Sequence, residues 1–225
     1  FAVQKLLFIC PQRYYTADTG RPECACIINA HLHGLQTARF PKSLTVTVVF
    51  GKFLRYVHFY GGALMELIDA VTGRRSIRKY KPDQLPDEDV RFILEAARWA
   101  PSWANTQCWE FVLVTEPEKK KLLAECLPDQ NPARPACEQA PIVIAACARK
   151  GVSGFFKGQS VTDKGDWMMF DTALAVQNLT LAAHAKGLGT VHVGFFDAQV
   201  AAAALQVPSD VAVIELIPLG YPAQE

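Results

Sequence analysis

Gly187-Leu188-Gly189-Thr190-Val191-His192-Val193-Gly194-Phe195-Phe196-Asp197 follows a long apolar stretch, Phe170–Lys186. That stretch reads as a helix ended by Gly187, and Gly189–Val193 reads as a strand. The order decides against one familiar fold. In a dinucleotide-binding βαβ unit the glycine pair follows a strand and opens a helix. Here it closes a helix and opens a strand, and it does not match G-x-G-x-x-G. The glycines instead allow backbone to come close to a planar ring. Working outward, Asp197–Leu205 reads as a helix and Asp210–Leu219 as a strand, with Gly220-Tyr221-Pro222 as the turn that ends it.

Upstream, Pro141–Ala148 is an apolar run on both faces, the pattern of a buried strand. Glu116–Cys126 reads as a Lys-rich surface helix and Trp109–Thr115 as a strand. Leu85-Pro86-Asp87-Glu88-Asp89 has the proline and acids of a helix start. Val90, Ile93, Leu94 and Ala97 then recur at helical spacing. Met65–Thr72 reads as a short helix with Leu67, Ile68 and Val71 on one face. Helices and strands are mixed without a clean βαβ repeat.

Composition sets the outer limits. The chain has 225 residues, 50% hydrophobic and 20% charged, enough apolar content for a packed core. Net charge is +1, so no general field holds nucleic acid or an anionic membrane. No run approaches the roughly 18 apolar residues of a membrane-spanning helix. The charge divides at Met65. Residues 1–64 hold seven basic and two acidic residues, and the remainder is acidic on balance. Residues 1–64 show no sustained helical period, only turn signals and short β-like pieces such as Leu44–Phe50. They are read as an extension of doubtful significance: translated upstream sequence, a gene-boundary error, or a poorly ordered or species-specific extension. Residues 65–225 are read as the functional domain.

Seven cysteines, an odd number without C-x2-C pairs, fit reduced thiols in a cytoplasm better than a disulfide framework. Cys24 and Cys26 with His31 and His33 have a spacing unusual for a metal site, and no metal is expected. Two other stretches carry polar chemistry. Arg74-Arg75-Ser76-Ile77-Arg78-Lys79-Tyr80 reads either as a solvated basic run or as a phosphate site, since guanidinium forks and a hydroxyl suit a dianion. A nucleic-acid patch there lacks a second basic cluster beside it. Ala100-Pro101-Ser102-Trp103-Ala104-Asn105-Thr106-Gln107-Cys108-Trp109 joins a helix to a strand. It reads either as an ordinary polar loop or as a reader of a flavin or pyrimidine edge, because Asn105 and Gln107 each offer a donor and an acceptor.

Taken in order, Arg74-Arg75-Ser76-Ile77-Arg78, Ala100-Pro101-Ser102 with Asn105, Gln107 and Trp109, Asp171–Leu179, Gly187-Leu188-Gly189-Thr190 and Leu219-Gly220-Tyr221-Pro222 resemble the nitroreductase family. The resemblance runs from Met65 to the end and supports Met65 as a natural start. It implies an α+β fold, a mostly antiparallel central sheet flanked by helices, in an intertwined homodimer with FMN at the subunit interface. It also implies that Arg74, Arg75, Ser76 and Arg78 hold the FMN phosphate and ribityl chain. Pro101, Ser102, Asn105 and Gln107 would contact the cofactor, partly from the second subunit. Val193, Gly194 and Phe195 would lie along the ring, with a backbone N–H near flavin N5. Asp171 is read as structural rather than catalytic, and no side chain is assigned as a catalytic residue.

The implied activity is an FMN-dependent oxidoreductase passing hydride from NADH or NADPH through flavin N5 to a nitroaromatic, quinone or similar flat acceptor, in ping-pong turnover. The alternatives are a specialised relative that dehydrogenates, dehalogenates or degrades flavin, and a non-catalytic flavin-binding protein. Neither nucleic acid nor membrane is expected as a partner, and a cytoplasmic location is expected. Three positions depart from the family pattern. Cys108 stands where Pro is usual and His192 where Trp is frequent. The chain stops at Glu225, where members continue with a tail carrying a further basic residue, so a missing tail and weakened FMN binding are expected.

Overall fold

A computed structural model of the chain describes residues 43–50, 53–60 and 65–223. Two units are distinguished, one over Tyr14–Met65 and one whose described part begins at Glu66. In the first, β1 (Ser43–Phe50) and β2 (Phe53–Tyr60) pair antiparallel from Ser43↔Tyr60 to Phe50↔Phe53. Cys10, Cys24, Cys26, His31 and His33 lie outside the described residues.

The larger unit is α+β. Helix α1 (Leu67–Gly73) leads to α2 (Asp87–Arg98), a short 3-10 turn (Trp103–Asn105) and β3 (Trp109–Val114). Helices α3 (Pro117–Glu125) and α4 (Arg134–Gln139) precede β4 (Ile142–Arg149). A small hairpin, β5 (Phe155–Phe156) and β6 (Gln159–Ser160), stands before the long helix α5 (Met168–Ala185). Strand β7 (Gly189–Thr190), helix α6 (Ala198–Leu205) and β8 (Val211–Gly220) follow.

The main sheet has the order β3-β4-β8-β7, antiparallel throughout. Strand β4 is apolar on both faces because both are covered, as its sequence anticipates. One face carries Ile142, Ile144 and Ala146 into a core shared with α2 and α5, namely Val90, Ile93, Leu94, Ala97, Ala175, Val176, Leu179 and Ala183. The other carries Val143, Ala145 and Cys147 into a core with Leu123, Ala124, Ala136, Ala201 and Leu205 from α3, α4 and α6. The sheet therefore separates two hydrophobic layers, each capped by helices.

Local signals agree with the element ends. Asp87, Glu88 and Asp89 sit in the first turn of α2, where the helix end is positive. Asp197 caps α6 by accepting from the N–H groups of Gln199 and Val200. Gly187, at φ 73°, ends α5. Two expectations change in detail. The Gly189–Val193 strand is regular only over Gly189–Thr190, with a single further bridge from Val193 to Leu216. The Lys-rich helix α3 is not wholly a surface helix. Lys120 is buried, and its ammonium donates to Ala140 O at 2.7 Å, where α4 ends.

Gly189 marks the tightest approach near the first candidate segment. A Cβ built there would lie 2.7 Å from Ile77 Cβ. Ile77 N donates to Thr190 O at 2.9 Å, so the 74–78 segment is pinned against β7. We expect Gly189→Ala to destabilise the chain by about 1–3 kcal/mol, the usual cost of forcing a methyl into a packed site. Urea denaturation followed by circular dichroism measures it, and an unchanged midpoint would show that the segment can retreat.

Candidate functional site

The candidate residues fall into two groups, set by the two ends of α5. At the C-terminal end, α1 stops against the helix. Gly73 faces His184, since a Cβ at Gly73 would lie 2.9 Å from His184 Nε2. Arg74 and Arg75 follow immediately. Burial, then the charges of Arg74 and Arg75, push the His184 imidazole below its ordinary range, so it is neutral at pH 7. The Arg75 guanidinium donates to Thr72 O and Arg74 O, at 2.7 and 2.9 Å. Arg74 differs: its Nη1 is buried without a partner among the described residues. A buried guanidinium nitrogen left in that state is costly unless it meets an acceptor.

Ser76 bridges to Thr190 in a parallel arrangement, which joins the Arg74–Arg78 segment to the start of the Gly189–Phe195 strip. Tyr80 locks the far side. Its hydroxyl donates to Ile77 O at 2.5 Å and lies 3.1 Å from Pro218 O, and burial pushes the phenol above its ordinary range. Along the strip, Val193 is buried, and its N–H is engaged by Leu216 O at 3.0 Å. Gly194 and Phe195 are exposed, and a Cβ at Gly194 would meet nothing within 4 Å. The backbone at Gly194 is therefore open to a flat group, while Phe195 O accepts from Asn131 Nδ2 at 3.1 Å. His192 Nδ1 lies 2.7 Å from Glu215 Oε1 beside it.

The second group sits at the N-terminal end of α5. Ser102 Oγ accepts the Gln107 N–H at 2.9 Å, and Gln107 Nε2 reaches Arg98 O at 3.5 Å. Pro101 and Asn105 are exposed, while Ser102 and Gln107 are half-buried. Three residues of this loop that are not glycine have positive φ: Ala104 at 45°, Asn105 at 55° and Gln107 at 46°. Each such conformation costs on the order of 1 kcal/mol and persists only where surrounding contacts over-determine it. The hydroxyl of Thr106 is a second buried polar atom without a partner among the described residues.

The two groups are not brought together within one chain. Asp171 and His184 mark their positions on α5, and the thirteen-residue step from one to the other spans roughly 20 Å of helix. Arg74, Arg75, Ser76 and Arg78 adjoin the Thr190–Phe195 strip, whereas Pro101, Ser102, Asn105 and Gln107 lie at the opposite end.

Sequence reading missed Thr106 and Thr190, whose polar atoms are anonymous in a loop and a strand. It also placed Asp171 in the fold without finding its partners.

The described thiols offer no nucleophile. Burial pushes Cys108, Cys137 and Cys147 up to about 12, helped at Cys108 by the negative charges of Asp171 and Asp166. No group of three or more His, Cys, Asp or Glu is placed to hold a metal among the described residues. No helix there is long and apolar enough to cross a membrane.

The sequence pattern of the nitroreductase family matches residues 71–221, and the chain belongs to that family. The chain is 32% identical over 191 residues to the NADH dehydrogenase of Thermus thermophilus, covering 72% of this chain and 91% of that one. It is 28% identical over 170 residues to the 5,6-dimethylbenzimidazole synthase of Rhodospirillum rubrum, covering 68% and 80%. Among solved structures, a nitroreductase family protein from Clostridium novyi NT superposes with a TM-score of 0.64 at 28% identity, over 71% of this chain and 87% of that one. An FMN-dependent nitroreductase from Clostridium difficile R20291 gives 0.60 at 29% identity, over 71% and 89%.

The raised thiols predict two outcomes. Iodoacetamide at mildly alkaline pH should leave Cys108, Cys137 and Cys147 unmodified in the native chain and modify all three after denaturation, as read by peptide mass spectrometry. Their folded values lie above the ordinary 9.0, so the stability they contribute is full below pH 9 and is lost as pH rises toward about 12.

Proposed function

We propose that this protein is an FMN-dependent NAD(P)H oxidoreductase that reduces nitroaromatics, quinones or similar flat acceptors. The observation that carries the reading is the buried, unpartnered Arg74 Nη1, on a residue two positions before the Ser76–Thr190 bridge. A phosphate oxygen is the acceptor that such a nitrogen lacks, and Arg75 and Arg78, its neighbours in sequence, add positive charge that suits a dianion. The open backbone at Gly194 gives a ring a surface to lie on. Because the Val193 N–H is already engaged by Leu216 O, a backbone donor to the ring would come from Gly194 or Phe195. When bound, FMN supplies hydride transfer between a nicotinamide and a second substrate taken in turn. The chain's own part is to bind, orient and keep the ring dry. Its raised thiols accord with chemistry borne by the cofactor.

A second copy of the chain completes the site in this reading. One chain keeps the 101–107 loop roughly 20 Å along α5 from Arg74, so a partner's loop supplies Ser102, Asn105 and Gln107. The surface accords with this. Leu67 and Ile68 of α1 are each 68% exposed and Val71 beside them is also exposed, an apolar face typical of a surface that meets a partner. A cytoplasmic location is part of this proposal, supported by the free thiols of Cys108, Cys126, Cys137 and Cys147 among the described residues.

A specialised relative is the second reading. The His192–Glu215 pair favours it by placing an imidazole and a carboxylate beside the strip proposed for the ring. A steady-state screen separates the two: bleaching of bound flavin by NADH or NADPH, followed by reoxidation with a quinone, supports the first reading.

The deciding experiment is an absorbance spectrum of the purified chain with identification of released chromophore. FMN near one per subunit is expected, and Arg74→Ala should weaken FMN binding at least tenfold. A colourless chain that takes up no added FMN would overturn the reading. For the assembly, Ile68→Lys should convert a dimer to a monomer in sedimentation; a wild-type monomer that still binds FMN would show that one chain suffices.

A further inference from the structure

We propose that Asp171 is the positioning residue of the 102–107 loop, and that Ser153 sets the carboxylate in turn. The claim rests on the FMN reading for its functional consequence, though not for its geometry. Asp171 is 1% exposed and Ser153 is fully buried. Both oxygens of the Asp171 carboxylate lie 3.1 Å from the Trp103 N–H, which donates to them. The Ser153 hydroxyl donates to Oδ2 at 2.5 Å, and Cys108 Sγ adds a weak donor at 4.0 Å. A carboxylate this deep is stable only when donors surround it. Here the donors come from two segments distant in sequence from α5 and from each other. One is the candidate cofactor loop. The other leads into the β5–β6 hairpin, whose base is closed by Trp167 N donating to Ser153 O at 3.1 Å.

The loop needs such a hold. Ala104, Asn105 and Gln107 keep positive φ without being glycines, which only external contacts can enforce. Ser102 Oγ closes the loop at Gln107, and Asp171 fixes it at Trp103. The amides of Asn105 and Gln107 are thereby aimed from a backbone anchored at two points. Groups that must meet a ring within a fraction of an ångström depend on this kind of supporting shell. Asp171 touches neither ring nor substrate in this account; it acts through the Trp103 amide.

The test compares wild type with Asp171→Asn and Ser153→Ala, each as the full chain. Amide hydrogen exchange at Trp103 and Gln107, measured without flavin, reads the loop directly. FMN affinity, read by quenching of flavin fluorescence, measures the consequence. Asp171→Asn should speed exchange at Trp103 at least tenfold while Ala146 in the sheet stays protected, and should weaken FMN at least tenfold. Ser153→Ala should move both in the same direction by less, and it carries the test if Asp171→Asn does not fold. Unchanged exchange at Trp103, or faster exchange with unchanged FMN affinity, would overturn the proposal. So would a uniform loss of protection across the sheet, the mark of a purely structural carboxylate. If wild type takes up no FMN, the oxidoreductase reading fails, and exchange at Trp103 still decides whether Asp171 holds the loop.

Discussion

Helix α5 lies against the sheet along Ala175, Val176, Leu179 and Ala183, and both candidate segments hang from its ends. The small side chains at 175 and 183 let the helix sit close to Ile144, Ala146 and Ile217. That seat fixes where Asp171 and His184 emerge. Asp171 then holds the Trp103 amide, and His184 meets the end of α1 where Gly73 leaves room. A helix displaced by a fraction of a turn would move both segments together. The constraint is one of packing, and the polar geometry follows from it.

Most regular elements were legible because their signals are local. The 3.6 period of Val90, Ile93, Leu94 and Ala97 and the acidic first turn gave α2, while the two-sided apolar run gave β4. What was not legible is short or depends on distant residues. Helix α4 has six residues, and its buried Ala136 and Cys137 carry no period of their own. The β5–β6 hairpin has two residues on each strand. The 3-10 turn holds Ala104 in the left-handed region that favours glycine or asparagine, and the Asp171 carboxylate that accepts from Trp103 N beside it lies 68 positions away. The apolar face of α1 was visible as a face, but nothing local says whether it meets a core or a partner.

The site was legible as motifs and not as a place. Each motif has a bland reading, and only their order pointed to a family. The structure adds what order cannot: an orphaned guanidinium nitrogen, a backbone open at Gly194, and two groups held apart by one helix. His184 shows how burial changes a residue's meaning. In sequence it is one of five histidines; beside Arg74 and Arg75 it stays neutral, leaving the positive charge at that end to the guanidiniums.

The position of β8 has a consequence for how the chain is made. Val211–Gly220 is the last described strand, yet it lies inside the sheet between β4 and β7. Strand β4 can take β3 as a neighbour early, since they are close in sequence, but its other edge stays unpaired until residues some seventy positions later leave the ribosome. During synthesis a strand apolar on both faces therefore waits with an open edge, a template for unwanted pairing. Closure of the sheet is a late, long-range event, because β8 lies far beyond β4 in the chain.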